Sequence, residues 1–359
     1  MLSDLINREN ELPRGFQSAL EKRTRSVLLK AGSNRSDPVL DFASSVAAGL
    51  DRQPRRLDCR FLYDERGSRL YEQITVQPEY YLTRTEASIL ARHSTEISRM
   101  TGPSTLVEFG SGYSVKTDYL LSAYMQQNPA LCYVPIDVSE SALRGAIGNI
   151  NRRHPGVQVI GIHGTYQEAF PVFDVASPIM VIFLGSTIGN MSRKESMEFF
   201  NRIADHLDPG DHFLLGVDLL KDPGLLEAAY NDAAGISDEF TRNLFVRMNR
   251  ELGSDIDISG VEHVARFNSE LEQIEIHARF KRAQTIDLPI LQRSFRIEAG
   301  EEILTEISRK FSIETLLPSL GMLGFRARRV FTDEHKWFAL LLLEKTLPKS
   351  SGDALKGSS

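Results

Sequence analysis

The chain has 359 residues, of which 42% are hydrophobic and 25% charged, so it can bury a sizeable core in one large domain or two modest ones. Its formal net charge of −6 argues against a nucleic-acid binder held by a basic surface. Two distant cysteines, Cys59 and Cys132, argue against a disulfide framework or a structural zinc site. They read as two buried thiols in a reducing compartment.

The opening residues, MLSDLINRENELP, lack the basic start and apolar core of a secretory signal. No apolar run approaches the ~20 residues that span a bilayer; the longest, 179–184 and 338–343, are the length of buried strands. The expectation is a cytoplasmic, monomeric enzyme. Residues 1–58 are polar, with a short helical pattern at 41–50. Residues 59–100 hold an aromatic cluster and then a helix start at 83–86. Thr83 and Glu86 have the spacing of a capping box.

From residue 104 the pattern becomes alternating. Apolar runs at 105–109, 131–136, 157–162, 179–184 and 212–217 read as strands. Helical patterns lie between them, up to Tyr124, at 139–152 and at 194–207. Short β-branched runs alternating with helices predict a parallel α/β sheet. After Asp218 the alternation stops. Helices are expected at 224–234 and 237–252, and antiparallel strands over 260–310, where Ile274, Ile276 and Ala278 alternate with Glu275, His277 and Arg279. A helix at 311–323 and a strand pair at 327–332 and 337–344 close the chain. The Ser/Gly/Lys-rich tail reads as disordered. The simplest architecture is a doubly wound sheet, completed by the C-terminal strands and interrupted by an insertion.

The sharpest local motif is Val107-Glu108-Phe109-Gly110-Ser111-Gly112, where the first of these strands turns into a helix. Glycines there let a ligand approach the backbone at the carboxyl edge of the sheet. Position 115 is Val, so the third glycine of a pyrophosphate-binding turn is missing. Asp137, at the end of the next strand, either accepts two ribose hydroxyls or caps the following helix. With the glycine turn it points to a nucleoside. Lys116 suits a ligand carboxylate or a solvated helix surface. The aromatics at 61–63 and 80–81 are packing or a cage for an amine. The eight histidines lack metal-ligand spacing, and His212 and His277 read as strand residues, so no metal is expected.

The segments FLYDERGSRLYEQITVQPEYYLTRTE (61–86), LVEFGSGYSVKT (106–117), VPIDVSE (134–140), VIFLGSTIGNM (181–191), LLGVDLLKDPGLLEAAYNDAAGISDEFTRN (214–243) and LTEISRKF (304–311) resemble the ergothioneine-pathway histidine Nα-methyltransferases. The resemblance runs from about residue 40 to residue 345. It implies a class I methyltransferase, a Rossmann-like α/β fold with an inserted α+β substrate domain. The domains it implies are an extension at 1–43, a substrate-binding domain at 44–85 plus 220–310, a cofactor domain at 86–219 plus 311–345, and a tail at 346–359. S-adenosylmethionine is the implied cofactor, contacted by Gly110, Lys116 and Asp137, with Thr165 and Tyr166 beside the adenine. At 165 the family commonly carries an acidic residue instead.

The implied reaction is methylation, to the trimethyl product hercynine, of the α-amine of free L-histidine. Asn190 and Tyr230 would hold its carboxylate. Tyr80, Glu306 and Ser308 would surround the imidazole, with Tyr63 at the amine. Taken alone, Asn190 reads equally as a turn residue, Tyr230 as a helix-face aromatic, and Glu306 and Ser308 as edge-strand surface. In a strand, positions 306 and 308 share a face. Two other readings stand beside this one. The same scaffold serves tryptophan and a prenylated tryptophan, against which Glu306 argues because an indole would leave a carboxylate unpaired. A non-catalytic cofactor sensor would keep Gly110 and Asp137 but lose the acceptor residues. Ile276 is placed by resemblance in the acceptor pocket wall.

Overall fold

The computed structural model describes residues 11–31 and 37–347. Thirteen strands organise it: β1 (Ser26–Lys30), β2 (Thr105–Phe109), β3 (Cys132–Asp137), β4 (Gln158–His163), β5 (Ile179–Phe183), β6 (His212–Asp218), β7 (Val261–Asn268), β8 (Gln273–Phe280), β9 (Gln284–Leu288), β10 (Arg293–Ile297), β11 (Glu302–Arg309), β12 (Phe325–Thr332) and β13 (Phe338–Lys345). Eight of them form one sheet in the order β1-β4-β3-β2-β5-β6-β13-β12. The first six run parallel, while β13 joins β6 antiparallel and β12 joins β13 antiparallel. This is the expected doubly wound sheet, with its strand order reversing about β2.

The central strands are apolar on both faces because helices cover both. Every residue of β5 and of β6 is buried. Alternate residues feed two cores. Leu106, Met180, Ile182 and Leu214 point into one, while Val107, Phe109, Val181 and Phe183 point into the other. The first core is continuous with the insertion. It runs from the sheet through the helix Ile236–Leu252 to Ile274, Ile276, Ala278 and Phe280, the inward face of β8. There β11, β8 and β7 form an antiparallel three-stranded sheet, with a β10–β9 hairpin beside it.

The insertion leaves and re-enters at one place. Leu219 bridges Phe311, and Phe311 N–H donates to Asp218 O at 2.9 Å. The end of β6 and the end of β11 are therefore neighbours, which brings Asp218 and Lys310 together.

Two local readings are corrected. The sequence pattern showed no strand before residue 58, yet β1 pairs in parallel with β4, Ser26 opposite Val159. Its five residues, SVLLK, are too few for a periodicity to show. The capping box at Thr83 is absent. The helix starts earlier, at Tyr81, and runs to Thr101. Thr83 therefore lies inside its first turn, and Glu86 is fully buried with other partners. The tail from residue 348 lies outside the described residues. No described helix is long and apolar enough to cross a membrane.

Candidate active site

A cavity of about 580 Å³, mouth included, opens where the carboxyl ends of β5 and β6 meet the inserted sheet. Its lining combines the aromatic rings of Tyr63, Tyr71, Tyr80, Tyr230 and Phe240 with the polar groups of Asn190, Glu306 and Ser308 and the side chain of Ile276. All the acceptor residues inferred from the sequence thus line one cavity. Strand alternation puts Glu306 and Ser308 on the same side of β11, just after a bulge between Leu304 and Glu306.

Asn190 ends the tight turn Thr187–Asn190 that follows β5, and its Nδ2 donates to Glu306 Oε1 at 3.0 Å. This leaves one amide proton of Asn190 for a ligand. Burial pushes the Glu306 carboxyl up to about 7, against the pull of Lys310 and of the Asn190 hydrogen bond. Tyr230 Oη and Ser308 Oγ lie 2.7 Å apart in a shared hydrogen bond.

The rings meet edge to face. Tyr63 is 5.6 Å from Tyr71 and 5.4 Å from Phe240, and Tyr80 is 6.0 Å from Tyr230. Aromatic rings lining a cavity suit a cation. Burial, with the Glu306 charge adding to it, raises the Tyr63 phenol well above its ordinary value. His263 also lines the cavity, but both ring nitrogens are engaged. Nδ1 lies 2.8 Å from Thr241 Oγ1, and Nε2 lies 2.8 Å from the carbonyl of Tyr230. The carbonyl can only accept, so Nε2 carries the proton and Nδ1 accepts from the threonine. Burial lowers its basicity further.

Behind this wall lies a buried ionic cluster that the sequence reading missed. Asp218, wholly buried, accepts from Tyr81 Oη at 2.9 Å, from Lys221 Nζ at 2.6 Å and from Lys310 Nζ at 2.8 Å. Lys310 also donates to Tyr230 Oη and to Ser308 Oγ, each at 2.9 Å. In sequence Lys310 looks like a solvated lysine at a strand end. The usable signal was Asp218, a carboxylate closing a strand that is apolar on both faces.

A second set of residues surrounds the glycine turn. Gly110 has φ +65°, and a Cβ there would stand 2.9 Å from Tyr166 Oη. Asp137 takes Gly112 N–H on Oδ2 and Ser139 N–H on Oδ1, both at 2.9 Å. The helix Glu140–Arg153 is capped by Ser139 itself, so the Asp137 carboxylate braces the glycine turn. Tyr166 is set by the Phe109 and Phe183 rings at 5.1 and 5.5 Å. Thr165 caps the short helix Tyr166–Ala169 in a reciprocal pair with Glu168. Lys116 lies before the helix Asp118–Met125 rather than in its first turn, and its ammonium is paired with Glu86. Both Glu86 oxygens also accept from Gly185 N–H at 2.9 Å, a contact that was not foreseen.

Comparison with known proteins decides what this constellation belongs to. Residues 42–345 match a family model described as histidine-specific methyltransferase, SAM-dependent. The chain belongs to this family. A histidine N-alpha-methyltransferase of Mycolicibacterium smegmatis is 42% identical over 297 residues, covering 83% of this chain and 92% of that protein. Its counterpart in Mycobacterium tuberculosis is 39% identical over 306 residues, covering 85% and 95%. The ergothioneine biosynthesis protein 1 of Neurospora crassa is 35% identical over 213 residues, which are 58% of this chain and 24% of that much longer protein.

Membership in this methyltransferase family makes S-adenosylmethionine the cofactor, and the residues around the glycine turn fit it. A bare glycine under Tyr166, a half-buried carboxylate with its oxygens held by backbone donors, and a lysine ammonium match a nucleoside joined to an amino acid. No phosphate cradle is needed. The described residues hold no group of three or more His, Cys, Asp or Glu suited to a metal ion.

Proposed function

We propose that this methyltransferase transfers methyl groups to the α-amine of free L-histidine, giving hercynine, the first committed compound of ergothioneine biosynthesis. The observation that carries the reading is Glu306. It is a carboxyl pushed up to about 7, facing an aromatic-walled cavity beside Ser308. A ring with N–H donors satisfies such a group; an indole, whose single N–H sits on a larger apolar ring, leaves the site's polar atoms unpaired at about 1–3 kcal/mol each. The tryptophan reading is disfavoured for that reason. The sensor reading is disfavoured because the acceptor residues are all in place.

Asn190 and Tyr230 hold the substrate carboxylate, and Tyr80, Glu306 and Ser308 enclose the imidazole. Tyr63 touches the amine. Gly110, Lys116, Asp137, Thr165 and Tyr166 hold the cofactor. S-adenosylmethionine, when bound, supplies a methyl on a sulfonium, an already good leaving group. The protein's work is therefore placement. The amine must be neutral to attack; its reference pKa is about 7.7–8.0 at a peptide terminus and higher in a free amino acid, so a proton must leave before each attack. Tyr63, kept a phenol by burial, accepts a hydrogen bond from the amine and orients it without taking its proton. His263 has no nitrogen to spare. The proton leaves through water. The aromatic faces tolerate the growing cation and the final quaternary ammonium without a counter-ion.

Free thiols at Cys59 and Cys132 suit a cytoplasmic enzyme. Purified protein incubated with S-adenosylmethionine and each of the twenty amino acids gives the test, read by mass in steps of one methyl group. The expected product is three methyl groups on histidine alone. Methylated tryptophan would overturn the Glu306 argument, and no product at all would overturn the reading.

A further inference from the structure

The buried cluster behind the acceptor cavity contains Lys310, which touches no part of the cavity yet holds two of its polar groups. Its ammonium has three N–H donors and three partners in reach. These are Asp218 Oδ2 at 2.8 Å, Tyr230 Oη at 2.9 Å and Ser308 Oγ at 2.9 Å. Its side chain is fully buried, so no water competes. Asp218 and the Tyr230 hydroxyl both favour the charged form, raising the ammonium's basicity against the cost of its burial.

Counting protons fixes what remains. Each hydroxyl of the Tyr230–Ser308 pair must accept from Lys310, and the two share one hydrogen bond of 2.7 Å. The pair owns two hydroxyl protons. One lies in the shared bond, so one alone is free to be donated into the cavity. If Tyr230 donates it, Ser308 is the donor of the shared bond, and Ser308 shows the cavity only a lone pair. Under the proposed function Tyr230 faces the substrate carboxylate, which only accepts. The free proton therefore belongs to Tyr230. Ser308, beside Glu306, becomes an acceptor.

We propose that Lys310 is a positioning residue that fixes the donor direction of the Tyr230–Ser308 pair, so that Glu306 and Ser308 both act as acceptors and the substrate ring binds with both nitrogens protonated. The inference rests on the histidine reading above. Charge balances in this arrangement. Lys310, Lys221 and an imidazolium face Asp218, Glu306 and the substrate carboxylate. A Glu306 carboxyl pushed up to about 7 and an imidazole near 6.5 share one proton readily. Without Lys310 both hydroxyls turn freely, and Ser308 can donate to a bare ring nitrogen as well as accept.

The test is nitrogen NMR of L-histidine labelled in its imidazole ring, bound to the full-length protein with S-adenosylhomocysteine near pH 8. The expected spectrum shows both ring nitrogens carrying protons, although most free histidine at that pH has one bare nitrogen. A bare nitrogen in the bound ring overturns the proton assignment and leaves the substrate reading intact. Absence of histidine binding in the wild-type complex overturns both. Lys310→Met gives the second readout. Histidine affinity falls about tenfold or more, and S-adenosylhomocysteine affinity stays within about twofold. Unchanged histidine affinity in a folded Lys310→Met protein refutes the positioning role. If that variant does not fold, the wild-type spectrum still decides.

Discussion

Replacing Glu306 by Gln should weaken the enzyme and strengthen the fold. The side chain keeps its shape, and its amide oxygen can still accept from Asn190, as Glu306 Oε1 does at 3.0 Å. What it loses is a charge and one acceptor facing the substrate ring. A hydrogen bond to a charged group is worth about 1.5–3 kcal/mol, so kcat/KM for histidine should fall about 10- to 150-fold. Stability moves the other way. The folded-state pKa of Glu306 is raised from 4.5 to about 7, so the native state holds this proton more tightly than the unfolded chain does. The cost of the charge is absent below about pH 4.5, grows through the window from 4.5 to 7, and is complete above 7. At one pKa unit per 1.36 kcal/mol, that cost is at most about 3 kcal/mol. Thermal unfolding at pH 8 without substrate should therefore show Glu306→Gln a few degrees more stable than wild type, with the gain shrinking towards pH 5. A variant less stable at pH 8, or equally active on histidine, would refute the assignment of a carboxylate buried for recognition.

Tyr63→Phe should lower kcat/KM for histidine about tenfold through lost orientation while leaving the pH–rate profile in place; a shifted alkaline limb would show that the phenol does take the proton. Asp137→Ala removes the acceptor for Gly112 N–H and Ser139 N–H. Calorimetry should show S-adenosylhomocysteine binding weakened by about 10- to 100-fold, and unchanged affinity would remove Asp137 from the cofactor site. Glu86→Gln leaves Lys116 without its buried anion, so the free protein should melt lower. S-adenosylhomocysteine, whose carboxylate restores a partner, should then raise the melting temperature more in the variant than in wild type; an equal shift would place the ligand carboxylate elsewhere.

The sheet was legible because parallel strands buried on both faces read as short continuous apolar runs, as 179–183 does. Burial by helices on either side leaves no polar face to blur the pattern. β1 was not legible because a short edge strand needs only the pairing offered by β4, and no pattern of its own. The Glu86 reading failed for a related reason. Its spacing from Thr83 satisfied a local rule, but a tertiary partner, the Gly185 N–H, took the carboxylate. The acceptor residues were reached through a family resemblance, not through their own pattern. Asn190, Tyr230, Glu306 and Ser308 come from three separate elements, and no spacing along the chain encodes their meeting. Lys310 was lost for the same reason, since its burial follows from the strand crossing at Leu219 and Phe311.

That contact between Leu219 and Phe311 and one short loop tie the two proposed sites together. The loop after β5 starts at Gly185, whose N–H is held by the same Glu86 carboxylate that holds Lys116 on the cofactor side. It ends at Asn190, whose amide is held by Glu306 on the acceptor side. Under the proposed roles, this one stretch of backbone is held at one end by the partner of the cofactor's lysine and at the other by the carboxylate that recognises the substrate. Methyl transfer needs close control of distance and angle between nitrogen and carbon. A loop held by both proposed sites would supply that control, and the Asp218–Lys310 pair fastens the insertion beside the same cavity.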